Sequence, residues 1–507
     1  MYLRIEDFKT MKIYSPEQLS ELDQLTIKEK EISSHQLMQT AAEKASDLLL
    51  EQLDNNEKIY VFCGIGNNAG DGFAMAKIFL DQGLNVEVFI LKYADNLSPD
   101  AQLNYDILKE KITFHEVSEV EELPDFENNS VVIDAIFGVG LNRELPKFVQ
   151  EVISSLNKTE AYKVAIDCPS GLYAHQANQK KDVVFNADLT LTFHAPKLSF
   201  LFSDFGNKVG EMKILDIGLL QNHHLKSEYN FIDQKFIKSI FKKRETFSHK
   251  GTYGHLVLIG GQKGMFGSIM LSAKAAMRSG VGKLTVLCPP KAVEMLNIIL
   301  PEAMTIESES ENFIAYQEFD FSYQTLGIGM GIGTSENAFS ALKNYLEKTE
   351  KPILIDADGL NLISQNKDLL QLLPAKSVLT PHIGELKRLI GEWNNSFEML
   401  DKAKSFSEKY DCILVVKEAY TKVIYHDKAY INSTVNAGLA TAGSGDVLAG
   451  IISGLIAQSY TSLQASILGV YLHGLSADLY VDKFSVNSLI ASDLIDYLGN
   501  AFSTIER

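Results

Sequence analysis

The sequence predicts an α/β protein of two domains, each built on a parallel sheet with helices on both faces. Apolar, β-branched runs of strand length alternate with helical patterns along most of the chain. This alternation is typical of parallel sheets, because the helices that connect the strands cover both faces. The alternation stops near residue 218 and starts again near residue 253. We therefore expect two sheets with separate cores, for which 507 residues are ample.

The elements follow in order from the apolar runs. In the first half we predict a helix over 71–82 and strands over 58–64, 85–91, 130–137, 163–168 and 189–193. In the second half we predict strands over 253–260, 282–288, 325–328, 352–356, 377–380 and 412–417, followed by apolar helices after residue 446. The polar stretch 221–230 between the halves is interpreted as a linker or an exposed connection.

Composition excludes several classes of function. The net charge of −18 argues against a surface that binds nucleic acid or an anionic membrane. The four cysteines form no Cys-x-x-Cys pair, which fits a reducing compartment and offers no zinc site. The first residues contain acidic side chains and no apolar core of signal-peptide length, so we expect a cytoplasmic protein. Residues 447–477 carry no charged side chain other than His473, and we interpret them as two buried helices joined by a turn rather than a membrane span.

The turn Thr-Ala-Gly-Ser-Gly-Asp at 441–446 is the most informative motif, and an apolar helix follows it. Gly443 and Gly445 let backbone amides approach an anion, and the helix start adds its own free amides. Asp446 is suited to act as a base for a hydroxyl next to that anion. The alternative is a capped helix start after a glycine turn.

The first half has a polar motif of its own, GIGNNAGDG at 64–72, between a predicted strand and a helix. It satisfies a loose dinucleotide fingerprint, G-x-G-x-x-A, but Asn67, Asn68 and Asp71 are not needed for that fingerprint. Their oxygens and amides suit a polar ligand together with a hard cation. Two further strand ends, DAIFGVG at 134–140 and DCPSG at 167–171, are expected at the same sheet edge, where open sheets bind ligands.

These motifs resemble two known families in a fixed order. Residues 11–218 resemble the YjeF N-terminal family, the NAD(P)H-hydrate epimerases, through the three motifs just given. Residues 235–507 resemble the ADP/ATP-dependent NAD(P)H-hydrate dehydratases of the ribokinase-like superfamily. The matching segments are KGTYG (250–254), GMFGS (264–268), GMGIG (329–333), DADGL (356–360), TPHIGE (380–385), KEAYT (417–421) and GSGD (443–446). The resemblance implies a Rossmann-like αβα domain over 1–218, a linker over 219–234 and a ribokinase-like αβα domain over 235–507.

The resemblance implies a bifunctional metabolite-repair enzyme. Its first domain would epimerise the R and S forms of hydrated NAD(P)H, and its second would dehydrate the S form to NAD(P)H at the expense of ADP or ATP. In the first domain Asp167 is the candidate for proton transfer, and a potassium ion would be held by Asn68, Asp134 and Ser170. The residues implied to bind the hydrate there are Asn67, Asn68, Ala69, Gly70, Asp71, Gly138, Val139, Gly140, Leu141, Asn142, Arg143 and Asp167.

In the second domain Asp446 would be the catalytic base. The hydrate would contact Ser268, Gly331, His382 and Asp446, although His382 could instead be a core or capping histidine. Nucleotide would be bound by Lys417, Glu418, Ala419, Tyr420, Thr421, Gly443 and Gly445, with Mg²⁺ accompanying it. We expect small-molecule ligands only, and a homo-oligomer.

The chain departs from the family pattern at Ala69, Ser268, Met330, Glu418 and Ser444. Glu418 stands where glycine is usual, and a carboxylate there would repel nucleotide phosphate unless it points away. Two other classes of function stay open: a ribokinase-like small-molecule kinase fused to a Rossmann-like binding domain, and a non-catalytic binding protein. TPHIGE and DADGL favour the dehydratase over the kinase, and the intact Asp167 and Asp446 argue against a pure binder.

Overall fold

The computed structural model describes residues 10–53, 57–220, 225–319 and 322–507. These residues form two compact units. The smaller unit consists of residues 12–227 and 395–397, and the larger unit consists of residues 10–11, 228–394 and 398–507. The predicted fold class, α/β with two domains, is confirmed. Residues 1–9 of the predicted first domain and 221–224 of the predicted linker lie outside the described residues.

The elements of the smaller unit alternate as predicted. A two-residue strand, β1 (Met11–Lys12), precedes them. They are α1 (Pro16–Lys30), α2 (Ser34–Leu50), β2 (Lys58–Cys63), α3 (Asn67–Asp81), β3 (Asn85–Leu91), α4 (Pro99–Leu108), β4 (His115–Val117), β5 (Ser130–Ala135), α5 (Lys147–Leu156), β6 (Tyr162–Ile166), β7 (Leu189–Phe193) and β8 (Glu211–Leu215).

The strands of this unit form one seven-stranded sheet in the order β4-β3-β2-β5-β6-β7-β8. Each neighbouring pair of strands is parallel. The chain winds from β2 in one direction and returns to start again at β5, so the switch point of the topology lies between β2 and β5. Apolar residues fill both faces, with Val61 and Phe73 in one core and Phe62 and Val132 in the other.

The larger unit contains the remaining elements. They are β9 (Tyr229–Ile232), α6 (Gln234–Ile240), β10 (His255–Ile259), α7 (Phe266–Arg278), β11 (Lys283–Cys288), α8 (Pro290–Ile299), β12 (Met304–Glu307), β13 (Thr325–Ile328), α9 (Glu336–Lys348), β14 (Ile353–Ile355), α10 (Asp358–Gln365), β15 (Val378–Leu379), α11 (Ile383–Ile390), α12 (Ser396–Tyr410), β16 (Ile413–Val416), β17 (Lys422–Tyr425), β18 (Lys428–Asn432), α13 (Ser444–Ala457), α14 (Ser462–Val481) and α15 (Ala491–Glu506).

The second sheet has eleven strands in the order β1-β9-β18-β17-β16-β15-β14-β13-β10-β11-β12. It is parallel from β16 to β12, and β17 runs antiparallel to both of its neighbours, β16 and β18. The switch point lies between β10 and β13, which are parallel neighbours. The apolar helices α13 and α14 belong to the largest core, and no helix of the described residues is long and apolar enough to cross a membrane.

Three features differ from the sequence interpretation. The predicted linker 219–234 contains a strand, β9, because Phe231 and Ile232 are buried against the second sheet. Helix α3 begins at Asn67, four residues before the predicted start at Asp71. Its first turn is polar and rich in small residues, so the helical pattern was visible only beyond it. The hairpin β17–β18 and the short strands β4, β8 and β12 were not predicted.

Candidate active sites

The first crevice lies at the carboxyl ends of β2 and β5, on either side of the switch point. The residue after β2, Gly64, comes so close to the chain after β5 that a Cβ there would lie 2.2 Å from the carbonyl oxygen of Ile136. Only glycine permits this approach. It brings the predicted loop GIGNNAGDG against DAIFGVG, and open α/β sheets bind ligands at such a position.

The residues predicted to bind the hydrate at 67–71 form the first turn of α3. Gly66 is the N-cap and offers no side chain to the free amides of that turn, which leaves them for a ligand. Asn67 is exposed, whereas Asn68 and Asp71 are buried. The amide nitrogen Nδ2 of Asn68 is buried and has no hydrogen-bond partner.

The three residues predicted to hold potassium come from three different segments. Asp134 is fully buried and accepts hydrogen bonds from the backbone amide of Ser170 (2.7 Å) and from its hydroxyl (2.6 Å). Asn68 lies beside Gly138, so near that a Cβ on Gly138 would be 3.1 Å from its Oδ1. Burial raises the pKa of Asp134 to about 6, with the hydrogen bonds from Ser170 and Ile136 opposing the shift.

Asp167 follows β6 with a positive φ of 61°, in the left-handed region that non-glycine residues rarely adopt. Its Oδ1 accepts a hydrogen bond from the ammonium of Lys197 at 2.7 Å, and Lys197 is only 2% exposed. The same ammonium donates to Thr192 Oγ1 at 2.9 Å. The structure thus pairs the predicted proton-transfer residue with a buried cation that sequence reasoning missed. The only available signal was the polar HAPK segment (194–197) after a buried strand.

Two more carboxyl groups act electrostatically on this pair. The pKa of Asp71 is raised well above its usual value by burial and then by the charges of Asp167 and Asp23. The pKa of Asp23 is raised to about 6 by burial and by Asp167, while Lys197 opposes the shift. Asp23 was also missed, because it lies on α1, far from the motifs in sequence.

The predicted binding loop 138–143 follows β5. Val139 is half-buried, whereas Gly140, Asn142 and Arg143 are exposed at the rim. Across from it, Tyr93 stacks on Phe137 with ring centroids 5.2 Å apart and accepts a hydrogen bond from the amide of Ile65. Burial raises the pKa of Tyr93 to about 12, and the charge of Arg143 opposes this. Tyr93 is a second wall residue that the sequence did not indicate.

The second crevice is centred on the start of α13, as the GSGD turn predicts. The N-cap of α13 is Gly443, which has a φ of 84°, and no side chain caps the amides at this helix start. His473 contacts this turn: its Nε2 lies 3.0 Å from the carbonyl oxygen of Ser444. Because burial lowers the pKa of His473 to about 4, this ring is neutral and donates to that carbonyl.

Asp446 is half-buried in the first turn of α13. Burial raises its pKa to about 6, the Asp356 carboxylate adds to the shift, and a hydrogen bond from Ser268 and the charge of Lys417 oppose it. Lys417 lies 2.8 Å from Asp356 Oδ1. Burial lowers the pKa of Lys417, but the carboxylates of Asp356, Glu385 and Asp446 outweigh it and raise the pKa overall.

The residues predicted to contact the hydrate surround Asp446 unequally. The Ser268 side chain lowers the pKa of Asp446, and Gly331 lies so close that a Cβ on it would be 3.2 Å from the Cβ of Ser268. His382 is the N-cap of α11: its Nδ1 accepts from the amide of Gly384 at 2.9 Å, and Glu385 completes a capping box. His382 therefore caps the helix through its Nδ1, as the alternative interpretation predicted, and its side chain is 55% exposed.

The predicted nucleotide loop 417–421 connects β16 and β17. Glu418 does not point out of this loop: its Oε2 lies 2.6 Å from the ammonium of Lys422, and both side chains are buried. Lys422 also donates to the carbonyl of Tyr420 at 3.1 Å. The expected repulsion is therefore removed within the protein, because Lys422 neutralises the carboxylate.

Together, the fold and the two crevices define a two-domain α/β protein with a polar crevice in each domain. Comparison with known proteins agrees with this class. The family described as YjeF-related protein N-terminus matches residues 34–199, and the family described as NAD(P)H-hydrate dehydratase matches residues 256–500. The bifunctional NAD(P)H-hydrate repair enzyme of Moorella thermoacetica is 31% identical over 98% of both chains. The Escherichia coli relative of the same description is 32% identical over 94% of this chain and 90% of its own.

The chain belongs to the family of bifunctional NAD(P)H-hydrate repair enzymes. The resemblance stated from the motifs is thereby confirmed. A solved structure of the ADP/ATP-dependent NAD(P)H-hydrate dehydratase of Bacillus subtilis, co-crystallised with ATP/Mg2+, covers 54% of this chain and 98% of its own at 27% identity, with a TM-score of 0.47.

Proposed function

We propose that the smaller unit interconverts the R and S forms of hydrated NAD(P)H and that the larger unit dehydrates the S form with ADP or ATP. The hydrate carries a hydroxyl on a ring carbon next to the ring nitrogen, so both reactions act on the same carbon–oxygen bond. The observation that carries the proposal is the pair of crevices, each with a carboxylate under the influence of a lysine. Asp167 follows strand β6 and is ion-paired with Lys197, whereas Asp446 begins helix α13 and interacts electrostatically with Lys417.

In the epimerase site, Asp167 would exchange a proton with the ring hydroxyl, and its ion pair with the buried Lys197 would hold the carboxylate in place. The free amides of the first turn of α3 and the rim residue Arg143 suit the phosphates of the dinucleotide. The unpartnered amide nitrogen of Asn68 is a donor that a bound ligand would satisfy.

A potassium ion fits the site formed by Asn68, Asp134 and Ser170. Carboxylate, amide and hydroxyl oxygens are the donors that a hard cation prefers. Asp134 is fully buried, and no Lys or Arg of the described residues is among the groups that act on its pKa. A cation bound there would supply the missing positive charge and a fixed partner for a substrate oxygen.

In the dehydratase site, Asp446 would take the proton from the hydroxyl of the hydrate as it attacks nucleotide phosphate. The lone pair of the ring nitrogen would then expel phosphate and form a carbon–nitrogen double bond, and loss of a proton from the next ring carbon to water would restore the carbon–carbon double bond of the reduced nicotinamide. Backbone amides at Gly443 and Gly445 would receive charge that develops on the phosphoryl oxygens. The loop 417–421 would bind the nucleotide.

Magnesium fits this site as a companion of the nucleotide rather than as a resident ion. Among the described residues, no group of three or more His, Cys, Asp or Glu is arranged to hold a metal. Mg²⁺ is commonly held by one or two carboxylates together with substrate phosphates. Asp356 and Asp446, which interact electrostatically, are the carboxylates that would serve.

The test is a two-phase assay with the full-length protein and a mixture of R and S hydrated NADH. With ADP or ATP and Mg²⁺, we expect a fast return of reduced-ring absorbance from the S form, then a slower phase limited by epimerisation. One nucleotide should be consumed for each hydrate repaired. Asp167→Ala should remove the slow phase and leave the fast one unchanged.

The same assay separates the alternatives. A stable phosphorylated product without reduced nicotinamide would establish the kinase. If the unmodified protein consumed only the S form, and the R form disappeared at its spontaneous rate, the smaller unit would be interpreted as a binding module.

A further inference from the structure

Asp23 is an acidic residue on the buried face of α1. Leu22 precedes it directly, and Leu19 and Thr26 lie about one helical turn away on either side. All three are buried, and the hydroxyl of Thr26 donates to the carbonyl of Leu22 at 2.7 Å. Because these positions share one side of the helix, Asp23 also faces inward, and it is half-buried.

This face of α1 packs against the epimerase crevice. Leu19 and Leu22 belong to an apolar cluster against which Val139, from the loop 138–143, and Phe193, at the end of β7, are packed. The backbone amide of Phe193 donates to Oδ1 of Asp167 at 3.3 Å. Phe193 therefore links helix α1 to the Asp167 segment.

The charge balance of the crevice is incomplete. Asp23, Asp71 and Asp167 act on one another, and the ammonium of Lys197 is bonded to Asp167 alone of the three. In the described part of the chain, neither Asp23 nor Asp71 makes a hydrogen bond or an ion pair, although Asp71 is only 9% exposed. Buried carboxyl groups without partners are unfavourable, so their presence indicates a ligand or a proton between them.

We propose that Asp23 is a second catalytic acid–base residue of the epimerase site, acting on the opposite face of the hydrated ring from Asp167. This inference rests on the proposed epimerase function. Inversion at a carbon that bears a hydroxyl needs a proton donor on the face where oxygen leaves and an acceptor on the face where oxygen returns. One carboxyl group cannot serve both faces.

Protonated Asp23 gives its proton to the ring hydroxyl, the carbon–oxygen bond breaks, and water leaves while the lone pair of the ring nitrogen forms a carbon–nitrogen double bond. A water molecule then adds to the other face of that carbon, and ionised Asp167 accepts its proton. The opposite epimer reacts with the two roles exchanged. Asp167 accepts a hydrogen bond from Lys197, whereas burial raises the pKa of Asp23 to about 6, so this direction of the reaction begins with the proton on Asp23.

The experiment measures the slow phase of the assay in the full-length protein for Asp23→Asn, Asp23→Glu and a control, Glu21→Gln. Glu21 lies two positions earlier on α1 and is exposed. We expect Asp23→Asn to slow this phase by about 100-fold or more, as for loss of an acid–base group, with the fast phase unchanged. Asp23→Glu should recover at least about a tenth of the rate, as a retained acid would allow, and Glu21→Gln should match the unmodified chain.

A second readout follows the oxygen. In a protein whose dehydratase is inactivated by Asp446→Asn, interconversion of the epimers in ¹⁸O-water should place ¹⁸O in the ring hydroxyl, and adding Asp23→Asn should stop both together. The role of Asp23 would be overturned if the rate of the slow phase in Asp23→Asn lay within about threefold of the normal rate. It would also be overturned if Asp23→Glu folded but was no faster than Asp23→Asn. A slow phase missing from the unmodified protein would instead overturn the epimerase function itself.

Discussion

Replacing Asp446 by asparagine should abolish dehydration while making the larger unit more stable. Asparagine keeps the size of the side chain but cannot accept the proton, so turnover should fall by about two to four orders of magnitude. The pKa of Asp446 rises from 3.8 to about 6 in the folded protein, chiefly through burial and then through Asp356. A shift of this size corresponds to about 3 kcal/mol of instability when the carboxyl is ionised. Asparagine, which is never charged, should recover much of it.

The sign of this effect gives it a distinctive pH dependence. Because the folded pKa lies above the unfolded one, the stability that Asp446 provides is fully present below pH 3.8 and is lost as the pH rises through about 6. The gain from Asp446→Asn should thus be largest at pH 8 and fall to roughly half at pH 5. In the unmodified protein, kcat/KM of the fast phase should fall as the pH drops below about 6, because the base is then protonated.

The assay combines turnover with thermal unfolding, using the transition that ADP or ATP shifts to identify the larger unit. The matched control is Asp478→Asn, since burial also raises the pKa of Asp478 and its carboxyl contacts Asn436 instead of the crevice. This control should keep full turnover. Near-normal turnover in Asp446→Asn would refute the assignment of the base, and a loss of stability at pH 8 would refute the electrostatic reasoning.

Three further predictions concern buried charges. Lys197→Met should leave Asp167 without its counter-charge, lower the stability of the smaller unit by about 3–5 kcal/mol and remove the slow phase, as thermal unfolding and the two-phase assay would show. Asp134→Asn should slow the slow phase and abolish its preference for K⁺ over Na⁺, because the charged acceptor of the Ser170 hydrogen bonds is lost. An unchanged response to K⁺ would contradict the ion site. Glu418→Gln should leave the buried ammonium of Lys422 without its counter-charge and lower stability by about 3–5 kcal/mol. It should also raise the KM for nucleotide but not for the hydrate. The double variant with Lys422→Met should restore stability.

Much of the fold could be predicted from local pattern. The strands that lie at the centre of each sheet, such as β2, β5, β10 and β13, are continuous apolar runs because both of their faces are covered. Edge strands such as β4 and β12 are short and half-exposed, so they lack this signal. The hairpin β17–β18 was missed for another reason, since it depends on pairing with β16 and β9 and not on a crossover helix.

The site residues divide in the same way. Asp167 and Asp446 were predicted because each stands in a motif at the end of a strand or the start of a helix, where the backbone alone suggests a ligand. Lys197 and Asp23 could not be found from local sequence. A lysine in a loop and an aspartate in an amphipathic helix are ordinary surface residues until the fold buries them.

The class of fold, the two domains, the family and the motifs at the sheet edges could all be predicted from the sequence. These follow from residue spacing and from turn chemistry, both of which are local. The pairing of charges could be seen only in the folded protein: Lys197 pairs with Asp167, Lys417 with Asp356, and Lys422 with Glu418. The physical reason is that the strength of a charge interaction depends on burial and on distance through space, which for the first two pairs joins residues 30 and 61 positions apart in the chain.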